Sequence, residues 1–264
     1  MPEGHTIHRL ARELDSLLGG RVVAVSSPQG RFAADAALVD HTVLERTEAY
    51  GKHLFTWWAD GHVGHLHLGL YGRVRVHRGG DPPPPVGQVR MRCSSDIATV
   101  DLSGPTACSI GTTADRDQIV ARLGPDPLRP RARAQLAIDR IAGSRQAIGA
   151  LLLDQSVLAG VGNVYRAEAL FVNGIHPARP GRDCSESELR ALWDTIVGML
   201  RKGVRDGRII TVDRRELELP RGRLRRGDAN YVYHRDRCRR CGTAIETVLL
   251  AGRPCYFCPI CQPS

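Results

Sequence analysis

The chain has 264 residues, with 37 Lys or Arg against 28 Asp or Glu and a formal net charge of +9. That length buries a sizeable core in one large or two modest domains, and the positive excess points to a polyanionic partner, nucleic acid first. No apolar run reaches membrane-spanning length, and the N-terminus lacks the apolar core and cleavage site of a signal peptide. These features exclude membrane-spanning and secreted classes and give the expectation of a soluble cytoplasmic protein. In that compartment clustered cysteines read as metal ligands rather than disulfides.

Met1-Pro2 is a context in which the initiator Met is removed, leaving Pro2 with a free secondary amine. Attack of that amine on an aldehyde-like carbon, with loss of water, gives a charged iminium, the secondary-amine version of Schiff-base catalysis. Glu3 beside it is a carboxyl able to move protons. An ordinary trimmed terminus starts the same way, so the motif alone decides nothing. After Gly4, the residues Ile7, Leu10, Ala11, Leu14, Leu17 and Leu18 recur at helical spacing, and Gly19-Gly20 stops the helix. Its positive N-terminal end would lower the pKa of a neighbouring amine below the usual value of about 8.

From Arg21 to Gly111 the pattern predicts short strands: Arg21–Val25, His62–Tyr71, Gly72–Val76, the alternating Val89, Met91 and Cys93, then Ile97–Leu102. Asp81–Val86, with four prolines, reads as a loop or hairpin tip. This portion is a strand-rich sandwich or barrel fronted by one helix. Lys52 shares its residue type only with Lys202, and it precedes a strand-like run. A solvated lysine fits that position as well as a working one. Leu70-Tyr71-Gly72 suits an ordinary strand end, or an apolar wedge for a base stack.

The prolines and glycine around 122–130 mark a connector, beyond which the chain turns helical. Gln146–Leu158 is predicted as an apolar helix, broken by Ala159-Gly160-Val161-Gly162. A second helix is expected from Asn163 to about Val172. The glycines and Asn163 suit a phosphate site at a helix start, or simply a tight turn between helices. Ser185–Glu188 forms a capping box ahead of Leu189, Leu192, Trp193, Ile196 and Leu200. Arg205–Arg226 is expected to be a long arginine-rich loop near the ligand.

Cys238-x2-Cys241 and Cys258-x2-Cys261 are two thiolate clamps that together complete one closed, structural tetrahedral zinc site. Cys255 is surplus to those four, and Cys93, Cys108 and Cys184 read as ordinary thiols. Between and before the clamps stand Arg253, Tyr233, His234, Arg235 and Arg237, a basic hairpin suited to a phosphate or groove, or to a solvated surface.

Taken together, Met1–Gly4, Tyr50-Gly-Lys-His-Leu54, His67-Leu-Gly-Leu-Tyr-Gly72, Leu123-Gly-Pro-Asp-Pro-Leu128, Leu152–Asn163 and the finger ending Cys258-Pro-Ile-Cys-Gln262 resemble the formamidopyrimidine-DNA glycosylase/endonuclease VIII family. The match covers essentially the whole chain, and Pro2–His5 with the Asp154–Gly160 run looks most like the endonuclease VIII branch, actinobacterial type. The resemblance implies an α+β fold: an N-terminal two-layer β-sandwich with flanking helices over 1–124, a linker at 125–130, a helix–two-turn–helix domain over 131–230, and a β-hairpin zinc finger over 231–264. It implies a monomer that binds damaged double-stranded DNA in a basic cleft between domains, in a bacterium at the nucleoid, with the lesion flipped out.

By the same resemblance Pro2 is the Schiff-base nucleophile and Glu3 handles protons. Lys52 contacts phosphate and acts in β-elimination, Asn163 binds phosphate, Arg253 grips phosphates and is linked to δ-elimination, and Leu70 and Tyr71 fill the gap left by the flipped base. One Zn2+ sits on Cys238, Cys241, Cys258 and Cys261. The implied activity is that of a bifunctional glycosylase/lyase for oxidised pyrimidines. Alternatives are an oxidised-purine enzyme of the same family, or a non-catalytic zinc-finger DNA-binding protein. Two departures stand out: Gly69 replaces a Gln found in some endonuclease VIII relatives, and Pro254-Cys255 replaces small hydroxyl residues.

Overall fold

A single strand belongs to both layers of the first unit. The computed structural model describes residues 2–79, 81–213, 215–217 and 228–264, and the chain divides into Met1–Arg122 and Leu123–Ser264. The first unit runs helix α1 (Gly4–Leu18), strand β1 (Arg21–Ser26), helix α2 (Ala33–Val39), and strands β2 (Thr42–Tyr50), β3 (His53–Trp58), β4 (Val63–His67) and β5 (Arg73–Arg78). Strands β6 (Val89–Ser94), β7 (Ala98–Ser103) and β8 (Ala107–Gly111) and helix α3 (Thr113–Ala121) complete it. The strands are ordered β5-β7-β6-β1-β2-β3-β4-β8.

Arg21, Val22 and Val23 pair with β2, whereas Ala24, Val25 and Ser26 pair with β6. The second half of β1 thus passes into the other layer. Val23, Leu44, Leu54 and Leu66 from one side and Met91, Cys93, Val100 and Leu102 from the other enclose one core with Ile7 and Leu14 of α1. This is the sandwich the strand pattern anticipates, and Val89, Met91 and Cys93 alternate inward as expected. Residues 82–86 lie outside any strand and are exposed. Helix α3 escaped the periodicity reading because it buries no residue; its only local signal is the capping box of Thr112 with Asp115.

Backbone contacts give α1 its direction. Gly20 N–H donates to the Leu44 carbonyl at 2.7 Å. Thr47 N–H donates to Asp15 at 2.7 Å, and the Thr47 hydroxyl donates to the Ala11 carbonyl at 2.5 Å. As numbers fall along α1 they rise along β2, so the Glu3 end of the helix lies toward the Tyr50 end of the strand.

The second unit carries α4 (Ala134–Ala142), α5 (Ile148–Leu151), α6 (Asn163–Val172), α7 (Glu186–Asp206) and the hairpin β9 (Glu246–Leu250) with β10 (Arg253–Phe257). Helix α6 begins and ends where the sequence predicts. The helix expected over Gln146–Leu158 does not form beyond Leu151. Its bond from Ala159 N–H to the Gln155 carbonyl is replaced from outside: Gly124 N–H takes that carbonyl at 2.8 Å, and Ala159 N–H donates to Pro125 O at 3.1 Å. The Gln155 side chain then holds the turn, donating to Leu153 O and Val161 O at 2.8 and 3.0 Å and accepting from Gly160 N–H at 3.0 Å. The apolar residues of the segment, Leu151, Leu152, Val157 and Leu158, are buried all the same.

Of the arginine-rich stretch, Arg205 and Asp206 close α7, and Gly207 caps it at φ 67°, where glycine carries no Cβ penalty. Residues 207–213 and 215–217 are neither helix nor strand, while Arg214 and 218–227 lie outside the described residues. No helix among the described residues is long and apolar enough to cross a membrane.

Both bonds of the Ser185/Glu188 box are present at the start of α7. Ser185→Ala is expected to cost about 1 kcal/mol of stability, read as a lower urea midpoint with an unchanged slope. No shift in the midpoint would mean that the cap contributes nothing.

Candidate active site and nucleic-acid interface

Three segments named by the sequence meet at one end of the first unit. Glu3 is the N-cap of α1: its extended backbone precedes the helix, its carbonyl accepts Thr6 N–H at 2.9 Å, and the residue is fully buried. Pro2, half-buried, stands just outside. The adjacent His5 is buried, which pulls its imidazole down to about 4 and keeps it neutral near pH 7. Lys52 sits in the two-residue turn between β2 and β3, where Tyr50 pairs with His53. Gly51 has φ 56°, the left-handed entry that such a tight turn needs at its first position. Because α1 runs antiparallel to β2, Glu3 and Lys52 occupy the same end.

The third segment follows from strand pairing. His53 pairs with His67, so the loop after β4 emerges beside the Lys52 turn. Gly72 N–H returns to the Leu68 carbonyl at 2.9 Å, leaving Leu70 54 % and Tyr71 81 % exposed. An apolar and an aromatic side chain turned outward at a tight loop have no folding role. Gly69, one of the two departures, has φ 62°, and a Cβ there would lie 1.8 Å from the Thr106 hydroxyl. The left-handed backbone favours glycine here, and a side chain would also require Thr106 to shift.

Sequence reasoning overlooked three histidines beneath these segments. His53 Nδ1 and His65 Nε2 are 2.9 Å apart, with ring centroids at 5.2 Å, and the His53 and His67 rings are 4.9 Å apart. Burial, and then the neighbouring imidazoles, pull His53 down to about 3 and His65 to about 4. His67 is lowered by burial and then by the Lys52 charge. The signal was available as His53, His65 and His67 at alternating positions of paired strands.

In the second unit Asn163 opens α6 and is only 5 % exposed. Its Nδ2 donates to the Pro254 carbonyl at 3.0 Å, and its Oδ1 accepts from Arg166. Pro254 and Arg253 begin β10, after a two-residue turn in which Ala251 and Gly252 have φ 50° and 70°, the two left-handed positions of a type I′ hairpin. The fold thus brings Asn163 and the tip bearing Arg253 together, with Arg253 exposed. Pro254 costs nothing there, because the group used is its carbonyl. Cys255 points into the core, and burial raises its thiol.

Glu168, also overlooked, is fully buried and accepts Tyr231, Val232 and Tyr233 N–H at 2.7, 2.9 and 2.8 Å, together with the Thr211 hydroxyl. It ties Thr211, within the arginine-rich stretch, and Tyr231, just beyond it, to α6. Burial raises its pKa against those donors. A charged pair at Arg166 and Glu168 inside an otherwise apolar helix was the sequence signal for both.

The four thiols of Cys238, Cys241, Cys258 and Cys261 lie within 4.8 Å of one another. Three of the separations are 3.9, 3.5 and 3.6 Å. A tetrahedral ion with bonds of about 2.3 Å requires sulfurs about 3.8 Å apart, whereas a disulfide needs about 2.05 Å; the donor set fits zinc. Each clamp makes the same turn, with Gly242 N–H on Cys238 O and Gln262 N–H on Cys258 O, both at 2.9 Å. Among the described residues Cys93, Cys108 and Cys184 join no such group. Of the basic residues beside the clamps, Arg237 holds the Gly242 carbonyl at 3.2 Å, while Arg239 and Arg240 are ion-paired with Asp228 and Glu216.

Residues 1–107 match the formamidopyrimidine-DNA glycosylase N-terminal domain and residues 123–214 its H2TH domain. The chain belongs to this family. Endonuclease 8 1 of Mycobacterium tuberculosis is 48 % identical over 99 % of this chain and 100 % of its own length. Probable endonuclease 8 2 of Streptomyces coelicolor is 34 % identical over 99 % and 94 %. A Lactococcus lactis FPG mutant solved with Fapy-dG-containing DNA shares the fold, with a TM-score of 0.81 at 22 % identity over the whole of both chains. Helix α3 and the histidine cluster are the parts of the first unit that local sequence signals describe least well.

Neutral histidines held wholly or partly out of water also set an acid limit. His5, His53 and His65 bind protons in the unfolded chain near 6.5 but in the folded one only near 3 to 4. Their contribution is complete above about pH 6.5 and is lost as pH falls from there toward about 3. The melting temperature is expected to fall across that window, less steeply in His53→Gln. An equal slope in the variant would remove the cluster from the account.

Proposed function

We propose that this chain is a bifunctional DNA glycosylase/AP lyase that excises oxidised bases, mainly pyrimidines, through an N-terminal proline Schiff base and then cleaves the strand by β,δ-elimination. The convergence of Pro2-Glu3, Lys52 and Leu70-Tyr71 at one end of the first unit carries this reading. A non-catalytic binder has no use for the first three. The 48 % identity to a relative named endonuclease 8 supports the pyrimidine branch.

In this mechanism the Pro2 amine attacks C1′ of a flipped nucleotide as the glycosidic bond breaks, and Glu3 moves the protons of base loss and sugar-ring opening. The neutral His5 leaves Glu3 and the amine to set the proton inventory. The resulting iminium withdraws electrons and acidifies the C2′ proton. Lys52 assists its transfer, the C3′–O bond breaks, and the 3′ phosphate leaves. A second elimination, with Arg253 on the phosphates, expels the 5′ phosphate, leaving a one-nucleotide gap flanked by phosphates. Leu70 and Tyr71 occupy the space vacated by the flipped base, while Asn163 takes a backbone phosphate with the second hydrogen of its Nδ2. Zinc on Cys238, Cys241, Cys258 and Cys261 holds the finger. The enzyme acts as a monomer on damaged duplex DNA at the nucleoid.

Borohydride should trap a covalent adduct with abasic or thymine-glycol DNA, and intact mass of active protein should lack Met1. Pro2→Gly should reduce trapping by about 100-fold or more while leaving DNA binding. The nucleophile assignment is falsified if trapping is unchanged in the variant or if active protein retains Met1. Incision of dihydrouracil and thymine-glycol duplexes should exceed that of 8-oxoguanine; the reverse order would favour the purine branch.

Removal of zinc by a chelator should abolish DNA binding and expose four titratable thiols, and re-addition should restore both. Full binding by metal-free protein would overturn the role given to the finger.

A further inference from the structure

Arg166 lies one turn into α6, fully buried, and its guanidinium reaches three separate segments. Nη1 donates to the Gly149 carbonyl at 3.0 Å and the Leu250 carbonyl at 3.3 Å. Nη2 donates to Asn163 Oδ1, to Pro254 O at 3.2 Å and to Arg253 O at 3.4 Å. One planar fork therefore joins the helix start, the turn at α5, and both ends of the Ala251-Gly252 hairpin tip. Burying a guanidinium costs several kcal/mol unless oxygens surround it, and a lysine has neither the plane nor enough donors to replace it.

The consequence for Asn163 is directional. A side-chain amide can flip about its last bond, exchanging donor for acceptor. With Arg166 donating to Oδ1 and Pro254 accepting from Nδ2, the flipped orientation would face a donor with a donor and an acceptor with an acceptor. Asn163 is thereby locked with Nδ2 beside the hairpin tip, and Arg253 is held through its own carbonyl by the same guanidinium.

We propose that Arg166 is a positioning residue that makes Asn163 and the Arg253 tip one phosphate-binding element, so that neither binds at full strength without the other. This rests on the phosphate roles given to Asn163 and Arg253 above. Arg166 itself touches no DNA; it orients the groups that do.

The test uses the full-length zinc-loaded protein and a duplex carrying a tetrahydrofuran abasic analogue, with zinc content and circular dichroism as controls for folding. Arg166→Ala should weaken binding by about 10- to 100-fold. A few millimolar guanidinium chloride should restore much of it by refilling the vacated fork, whereas sodium chloride at equal ionic strength, which only screens phosphates, should not. A folded Arg166→Ala protein that binds normally, or one indifferent to guanidinium, overturns the proposal.

Where that variant fails to fold, the double-mutant cycle of Asn163→Ala with Arg253→Ala decides on otherwise unaltered protein. The combined loss should be clearly smaller than the product of the single losses, and a simple product refutes the coupling. If neither single variant weakens binding, the phosphate reading itself fails, an outcome distinct from single losses that multiply.

Discussion

Helix α6 is buried along nine of its ten residues, from Asn163 to Phe171, and this enclosure governs the second unit. Water reaches almost none of its side chains, so each polar group the helix carries has to be met by protein. Asn163, Arg166 and Glu168 are met by three different segments: the hairpin tip, the α5 turn, and the bend at Tyr231 to Tyr233. The satisfaction of three buried polar side chains thus doubles as the assembly of the interface. An apolar helix at the same place would bury as much surface and leave the hairpin tip unregistered.

The first unit solves a different problem by direction alone. Its candidate groups stand at positions 2–3, 52 and 70–71 of the chain, and no local signal joins them. They meet because α1 runs against β2, β2 turns tightly into β3, and β3 pairs with β4. Each step places a chain terminus or turn at the same end of the sandwich. The core keeps that arrangement because β1 serves both layers and neither can slide without breaking its pairs with β2 or β6. Beneath the turns the half-buried imidazoles stay neutral, so the strands themselves add no charge beside Lys52 there.

Metal chemistry and strand geometry cooperate in the hairpin. The clamps draw together the two ends of a β9–β10 pair too short to be stable alone. At the far end, left-handed Ala251 and Gly252 turn the chain so that Arg253 faces outward while its carbonyl faces Arg166. The Pro254-Cys255 departure fits both demands, since the proline carbonyl is an acceptor and the cysteine packs inward.

By itself the sequence determined what depends on short-range physics. The α1 stripe, the inward alternation of Val89, Met91 and Cys93, the Ser185/Glu188 cap, the start of α6 at Asn163 and the spacing of the four cysteines all follow from helical or strand period, capping chemistry and ligand reach. Motif order was enough to point to the glycosylase family and to the residues worth placing. Only tertiary structure decided where a bond partner comes from outside the segment. Gly124 and Pro125 take the Gln155 carbonyl and the Ala159 N–H that would have paired at the end of the expected helix, and Asp154 takes the Ser156 N–H, so an apolar run that reads as helix folds as turns. Gly69 takes a left-handed φ with Thr106 packed against it, which favours a residue without a side chain. Arg166 and Glu168 become interpretable only when their distant carbonyl and amide partners are known. The physical reason is the same in each case: a buried polar group or a close contact is satisfied by whatever the fold brings near, and sequence separation carries no information about that.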